Sequence, residues 1–535
     1  MTEPAVVAPP KHGVERAPLD RWWGWMLRTP ARARLWWWGG PALVTLLALV
    51  LRVWNLGHPH ALVFDETYYV KDAFSLFHLG FEAKWPDAAN AMFEAGDTGV
   101  FLNQAAYVVH PPLGKWIIAL GMMAFGAGDA WAWRITTALV GTAAVLLVTI
   151  IGRKLTGSTM LGVVAGFLMA IDGVAIVMSR VALLDNSLMF FVLLAFLFLL
   201  YDRERMQARI ALAVSGHSGA GGDGSGPEWG PVVWSRPWVL AAGAALGAAC
   251  AVKWSGAYVL AGVGIYLVVT DMLARRRAGI GGWLSDGALR QGPVTFLQLV
   301  PVALVVYLVS WTGWLVTDGG YDRAAAADNP ATGFWSWVPL PLQSLWRYHE
   351  SMYTFHVGLT SEHSYASPAW TWPFMTRPTF MFWEKTAEGE AGCTLPGGCV
   401  QAISSVSNPL IWWVGMAAAL YLIYRFVVTR DWRIAFVLTG LAVTYLPWLL
   451  YGERTIFQFY TVVMIPFVAL ALMLVAEHAL GPRDGPPERR AGATAAIAVF
   501  LAAAALISAF FYPVWTGMEI PYPFWVLHNW LSTWV

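Results

Sequence analysis

Long apolar runs separated by short charged clusters set the pattern of this chain. Runs of roughly 17–25 residues, the length of helix that crosses about 30 Å of hydrocarbon, fall near 36–54, 134–152, 158–178, 182–200, 294–315, 406–428, 432–450, 456–478 and 491–512. The longer stretch 237–272 reads as two spans broken at Lys253-Trp254-Ser255-Gly256. The pattern predicts an all-α polytopic membrane protein with about eleven transmembrane helices, since a spanning segment must satisfy its backbone internally. The run from Trp116 to Phe125 is too short to cross and is interrupted by glycine, so it is placed as an interfacial or re-entrant helix on the outer face.

The charged clusters orient these spans. With the N-terminus in the cytoplasm, Lys and Arg exceed Asp and Glu on the cytoplasmic side, and the outer side shows the reverse. Arg32, Arg34, Arg153, Lys154, Arg203, Arg205, Arg275, Arg276, Arg277, Arg489 and Arg490 all lie near cytoplasmic span ends, as the positive-inside rule requires. Counting 116–125 as a full span would put Arg153 and Lys154 outside, which argues against it. The C-terminus is then extracytoplasmic. The expected segments are a cytoplasmic tail over 1–35, a transmembrane module over 36–315 that includes an outer loop at 56–133, a second outer loop over 316–405, and a C-terminal transmembrane module over 406–535. The tail lacks an apolar core or a cleavage site, so the first span is expected to be retained. The connector from Ser215 to Gly226 is glycine-rich and reads as a flexible linker without chemistry.

Composition agrees with this picture: of 535 residues, 58% are hydrophobic, 13% are charged and 32 are tryptophan. No soluble domain of this length carries such a surface. A net charge of +1 gives no reason to expect a nucleic-acid partner. Cys250 lies in an apolar span, whereas Cys393 and Cys399 bracket a polar loop and form a possible disulfide if that loop meets an oxidising compartment. There is no phosphate-binding glycine loop of the ATPase type, so energy for any reaction must come from the substrate.

Against so few charges, the adjacent carboxylates Asp65 and Glu66 stand out, just past the first span and among aromatic residues. Carboxylates at a membrane surface are costly unless paired or used. The spacing of Ala73, Phe74 and Phe77 before Gly80 predicts an amphipathic helix after them, so the plain alternative for Asp65 is an N-cap. Further on, His110-Pro111-Pro112-Leu113-Gly114-Lys115 offers a stiff turn with a cation able to hold a phosphate, or else a lysine anchored beside Trp116. Arg52, Arg134, Arg180 and Lys253 lie in apolar sequence at outer span ends. They suggest an anionic head group, with an Arg180–Asp185 ion pair as the simpler reading for those two. In the second loop, His349, His356 and His363 recur every seven residues, on one face if that stretch is helical. Zinc is thinkable there, but no recognised ligand motif is present. His356, His363, Tyr365 and Trp372 also suit contact with a sugar or a hydroxyl-bearing peptide, and interfacial aromatics are the alternative.

Taken in order, Phe64-Asp65-Glu66, His110 to Lys115, Arg180 to Asp185, Val252 to Gly256, and His363 to Ser367 followed by Trp372-Pro373 resemble the bacterial polyprenyl-phosphate-mannose-dependent protein O-mannosyltransferases, membrane glycosyltransferases of the GT-C class. The resemblance implies a GT-C fold and inverting transfer of mannose from a polyprenyl phosphate to Ser or Thr hydroxyls of secreted or cell-envelope proteins. It implies Asp65 as general base, Glu66 as its support, and Arg134 facing the leaving phosphate, with His110, Lys115, Arg180 and Lys253 as further donor-site candidates. No metal ligand is assigned, and the implied small molecule is the lipid-linked donor itself, polyprenyl-phosphate-mannose. The implied location is the cell membrane, with the site on the extracytoplasmic face and the secretion translocon as a possible partner. Two rivals use the same residues: a GT-C enzyme acting on an envelope lipid or polysaccharide, and a secondary transporter, which the polar residues in outer loops disfavour.

Overall fold

The computed structural model describes residues 18–218 and 227–535. Residues 1–17 of the expected tail and 219–226 of the glycine-rich linker lie outside the described residues. Among those described, eight helices are long and apolar enough to cross a membrane: Pro30–Val53, Ala130–Thr156, Asp185–Ser215, Gly256–Arg277, Trp283–Ser310, Pro409–Thr429, Trp432–Leu450 and Pro487–Thr516. A ninth candidate is the pair Thr159–Ala170 and Gly173–Arg180, bent by 62°. Two further expected spans are shorter apolar helices, Pro237–Val252 and Ile465–Leu480, and Leu113–Phe125 is short as expected of a non-spanning helix.

The irregular runs among the eleven have local causes. At the bend, the Asp172 carboxylate accepts from the backbone N–H of Ala175 at 3.1 Å and starts a new helix in a new direction. Before Ile465, the residues Gln458–Val463 tighten into a 3₁₀ turn that takes the first part of the expected span. After Val252 the chain extends at Lys253, so the 237–272 stretch divides where the sequence indicated.

The chain forms two compact units, one from residues 1–64, 137–181 and 362–535, the other from 65–136 and 182–361. The second outer loop is therefore divided between them.

In the first unit, Arg52 and Arg180 secure the end of the first span. Arg52 donates to Ser179 Oγ at 3.1 Å and to the Ala170 carbonyl at 3.1 Å. Arg180 donates to the carbonyls of Arg52, Trp54 and Asn55 at 3.0, 2.6 and 3.0 Å. These are carbonyls that a helix end leaves without intrahelical donors. The all-helical expectation omits one feature here: Phe380–Thr386, Cys399–Ser404 and Ile520–Pro521 form a three-stranded antiparallel sheet in which Trp383 faces Ala402 and Cys399 faces Pro521. Cys393 and Cys399 are joined as a disulfide beside it.

In the second unit, small residues let helices approach closely. A Cβ on Gly243 would lie 2.6 Å from the Leu299 carbonyl oxygen, and Gly247 meets the Ala303 backbone one turn later. This is how membrane helices gain contact when lipid offers no hydrophobic drive between them. Trp311, Trp314, Leu345, Tyr348 and Met352 pack into an aromatic core beneath the Leu340–Gly358 helix.

Candidate active site

The helix Glu66–Leu79 begins directly after Phe64, whose φ of 48° is left-handed and strained for an aromatic residue. Packing holds it there. Its ring meets His363, Phe457 and Phe459 edge-on at 6.2, 5.7 and 5.6 Å between centroids. Asp65 occupies the N-cap position, yet its side chain makes no capping hydrogen bond. The capping alternative is thereby answered: the backbone carbonyl of Asp65 takes the N–H groups of Tyr68 and Tyr69, both at 3.0 Å, and the carboxylate is not spent on the helix. Burial pushes this carboxyl up from 3.8 to about 6, while Lys253 and a hydrogen bond with Tyr69 oppose the rise and Asp185 adds to it.

Glu66 is wholly different. It is fully buried, and its Oε1 accepts from Arg134 Nε at 2.8 Å and from the Ala182 backbone N–H at 2.8 Å. Its Oε2 accepts from Arg134 Nη2 at 2.7 Å. Every one of these contacts is with a donor, and Glu66 forks onto Arg134 in the bidentate geometry that carboxylate and guanidinium favour.

Lys115 and Lys253, the other predicted donor-site cations of this unit, are also matched. Lys115 is buried, ion-pairs with Glu82, and donates to the His110 carbonyl at 3.1 Å. Asp72 lies nearby, its carboxyl pushed up to about 7 by burial, with Lys115 opposing and Glu82 adding to the shift. Lys253 donates to both carboxylate oxygens of Asp185, at 2.9 and 3.0 Å, from the break between two apolar helices. Asp185 thus has Lys253 as a partner, and Arg180 is engaged with backbone carbonyls in the first unit.

Beside Tyr69 runs a line of rings. His110 lies 6.1 Å from Tyr69 and stacks on His356 at 5.2 Å, and His356 lies 5.8 Å from Trp254. His356 Nε2 bonds the Val109 carbonyl at 2.7 Å. His349, one helical face along, stacks on the same indole at 5.6 Å. Trp254 Nε1 donates to the Tyr307 hydroxyl at 3.0 Å, and that hydroxyl meets His349 Nε2 at 2.5 Å. His349 and His356 share a helix as their spacing implied, but the helix ends at Gly358, so His363 is not on it.

His363 and Tyr365 belong to the first unit. His363 is exposed, accepts at Nδ1 from the Tyr365 N–H at 3.1 Å, and packs edge-on against Phe64 and Phe457. Tyr365 lies under the Arg377 guanidinium. Trp372 is fully buried, with its indole N–H on the Ser367 carbonyl at 2.9 Å and its own carbonyl taken by Trp412, so it presents no surface to a ligand. Three residues of this neighbourhood escaped sequence reading: Asp72, Glu82 and Tyr307. The only signal for Glu82 was its place just beyond the turn at Gly80, in reach of a lysine that needed a counter-charge.

An acidic helix start on a polytopic helical frame is what the resemblance to the GT-C class implies. The fold matches the solved S. cerevisiae protein O-mannosyltransferase Pmt1–Pmt2 complex bound to the sugar donor, with a TM-score of 0.68 over 93% of this chain and 92% of that one, at 15% identity. Residues 42–216 match the family model for dolichyl-phosphate-mannose-protein mannosyltransferase, and residues 341–534 match that for the C-terminal four-transmembrane region of protein O-mannosyltransferase. The polyprenol-phosphate-mannose–protein mannosyltransferase of Mycolicibacterium smegmatis strain MKD8 is 34% identical over 99% of this chain and 96% of its own length. That of Mycobacterium tuberculosis H37Rv is 35% identical over 97% and 93%. The chain belongs to the protein O-mannosyltransferase family.

Proposed function

We propose that this membrane protein transfers mannose from polyprenyl-phosphate-mannose to Ser and Thr hydroxyls of secreted proteins, with Asp65 as the general base. The observation that carries the reading is the unequal fate of the two carboxylates. Glu66 is locked onto Arg134, whereas Asp65 caps nothing and is raised to about 6, close to where a base at neutral pH works best. In the proposed step Asp65 accepts the hydroxyl proton as the acceptor oxygen attacks the anomeric carbon. The bond from that carbon to the phosphate oxygen breaks, and the polyprenyl phosphate leaves with the electron pair. This single displacement inverts the anomeric configuration. Because the departing phosphate is already a stable anion, a nearby cation suffices and no general acid is needed. Lys253, oriented by Asp185 and close enough to favour ionised Asp65, is proposed for that role. The Glu66–Arg134 fork is proposed to fix the helix start that presents Asp65. The stacked His110 and His356, beside the Tyr69 that bonds Asp65, are proposed to line the sugar.

The extracytoplasmic face is the proposed side of reaction. The distribution of Lys and Arg and the disulfide Cys393–Cys399 support it, and a translocating chain delivered by the secretion machinery fits that side. The test is purified protein supplied with polyprenyl-phosphate-mannose and a Thr/Pro-rich peptide. Mass spectrometry should find one hexose on a hydroxyl residue, and the one-bond anomeric C–H coupling in NMR should show the configuration opposite to that of the donor. Mannose appearing only on an envelope lipid would reassign the acceptor, and retained configuration would overturn the single displacement.

A further inference from the structure

A second polar site lies in the first unit, where four apolar helices end or begin. Pro409–Thr429 and Ile465–Leu480 stop there, and Trp432–Tyr445 and Pro487–Thr516 start there. Between these ends is a cavity of about 450 Å³. Its inner wall is apolar, formed by Leu422, Ile434 and Leu474, and its polar wall carries Arg425, Arg433 and Arg489 against Asp431 and Glu477.

The charges do not cancel evenly. Arg433 takes both carboxylates: Nη1 reaches the two oxygens of Glu477 at 2.9 and 2.8 Å, and Nη2 reaches Asp431 at 2.8 Å. Among the described residues no carboxylate ion-pairs with Arg425 or Arg489. Arg489 is nevertheless held in place. Its Nη2 donates to the His478 carbonyl at 3.2 Å, and its guanidinium lies across Gly481, where a Cβ would be 3.4 Å from the guanidinium carbon. Gly481 has φ 66° and ψ −171°, a conformation open essentially to glycine alone, and the missing side chain leaves the groove that the arginine fills.

We propose that this cavity binds the phosphate-bearing head group of an acidic phospholipid, with Arg425 and Arg489 as its cationic contacts and the Leu422, Ile434 and Leu474 wall receiving the upper part of the acyl chains. Two features favour a lipid over a free anion. The cavity lies at the level where spanning helices leave the hydrocarbon, and it joins an apolar wall to a cationic rim, which is the profile of a lipid at that depth. None of its residues takes part in the proposed transfer chemistry.

The probe is phosphatidylglycerol. Full-length protein is reconstituted in phosphatidylcholine nanodiscs with and without it, extracted, and weighed by native mass spectrometry. The wild type should keep one phosphatidylglycerol through delipidation and no phosphatidylcholine. Loss of each guanidinium should weaken retention about five-fold, so the variant R425Q/R489Q should lose the lipid while R425K/R489K keeps most of it. If the double glutamine variant fails to fold, the single variants R425Q and R489Q provide the reading, because each removes one guanidinium and should still lower retention. Equal retention in wild type and R425Q/R489Q, or in wild type and both single variants, would overturn the proposal. Displacement of the lipid by inorganic phosphate at matched concentration would also overturn it, in favour of a free-anion site.

Discussion

Glu66→Gln exchanges one carboxylate oxygen for an amide group of nearly the same size, at a position fully shielded from solvent. The three donors around it leave the amide no acceptable orientation. With the amide nitrogen at the Oε2 position it points at Arg134 Nη2, and at the Oε1 position it meets both Arg134 Nε and the Ala182 N–H. At least one donor contact turns repulsive either way, and the buried guanidinium loses its counter-charge. Breaking a buried pair from one side costs about 3–5 kcal/mol. Replacing both partners by apolar residues of similar volume is often close to neutral. Glu66→Gln should therefore lower the thermal midpoint in detergent, read by tryptophan fluorescence, and Glu66→Met with Arg134→Met should recover most of it. Transfer activity separates structure from placement: the doubly apolar protein should fold yet turn over slowly, because the fork that sets Asp65 is gone. A Glu66→Gln protein that melts with the wild type would refute the buried-fork account. A stable double variant with full turnover would refute its positioning role.

The raised carboxyl of Asp65 makes two further predictions. If this group is the base, kcat/KM should climb with pH through about 6 and level off above it, and a flat profile from pH 5 to 8 would contradict that. Because its folded value exceeds the ordinary 3.8, the folded protein binds the proton more tightly than the unfolded chain, and this site costs stability progressively as pH rises from about 3.8 through about 6. Asp65→Asn should then melt at or above the wild type at neutral pH, and a clear fall would contradict the sign. Phe64 reverses a familiar order. Phe64→Ala loses the ring packing but keeps the left-handed strain, whereas Phe64→Gly loses the packing and sheds the strain. Glycine should be the more stable replacement by about 1 kcal/mol, measured by the same melts.

What the sequence carried well was the chemistry that burial makes costly. Asp65, Glu66, Arg134, Lys115 and Lys253 all drew attention because charge in apolar sequence needs a partner. The partners themselves were hidden, since they come from distant positions: Glu66 with Arg134, Lys253 with Asp185, and Lys115 with Glu82. Arg180 illustrates the limit most clearly. Its carbonyl partners belong to the end of another helix and leave no trace in side-chain pattern. Trp372 is a related case, because an indole in a loop sequence reads as interfacial until packing shows it enclosed. The shape of a span was hidden where a single residue outweighs an apolar run, as Asp172 does by capping a new helix in mid-run. The small sheet near Cys399 was missed because its strands are short and their last partner, Ile520–Pro521, lies more than a hundred residues away.

The central claim is that Asp65 takes the proton from the acceptor hydroxyl. The most direct measurement is single-turnover transfer from polyprenyl-phosphate-mannose to a Thr-containing peptide by the wild type and by Asp65→Asn, with donor binding measured separately. Removal of a general base should slow the chemical step by about 10²–10⁴-fold while donor affinity and the melting midpoint hold. Near-normal single-turnover rates in the Asp65→Asn protein would contradict it.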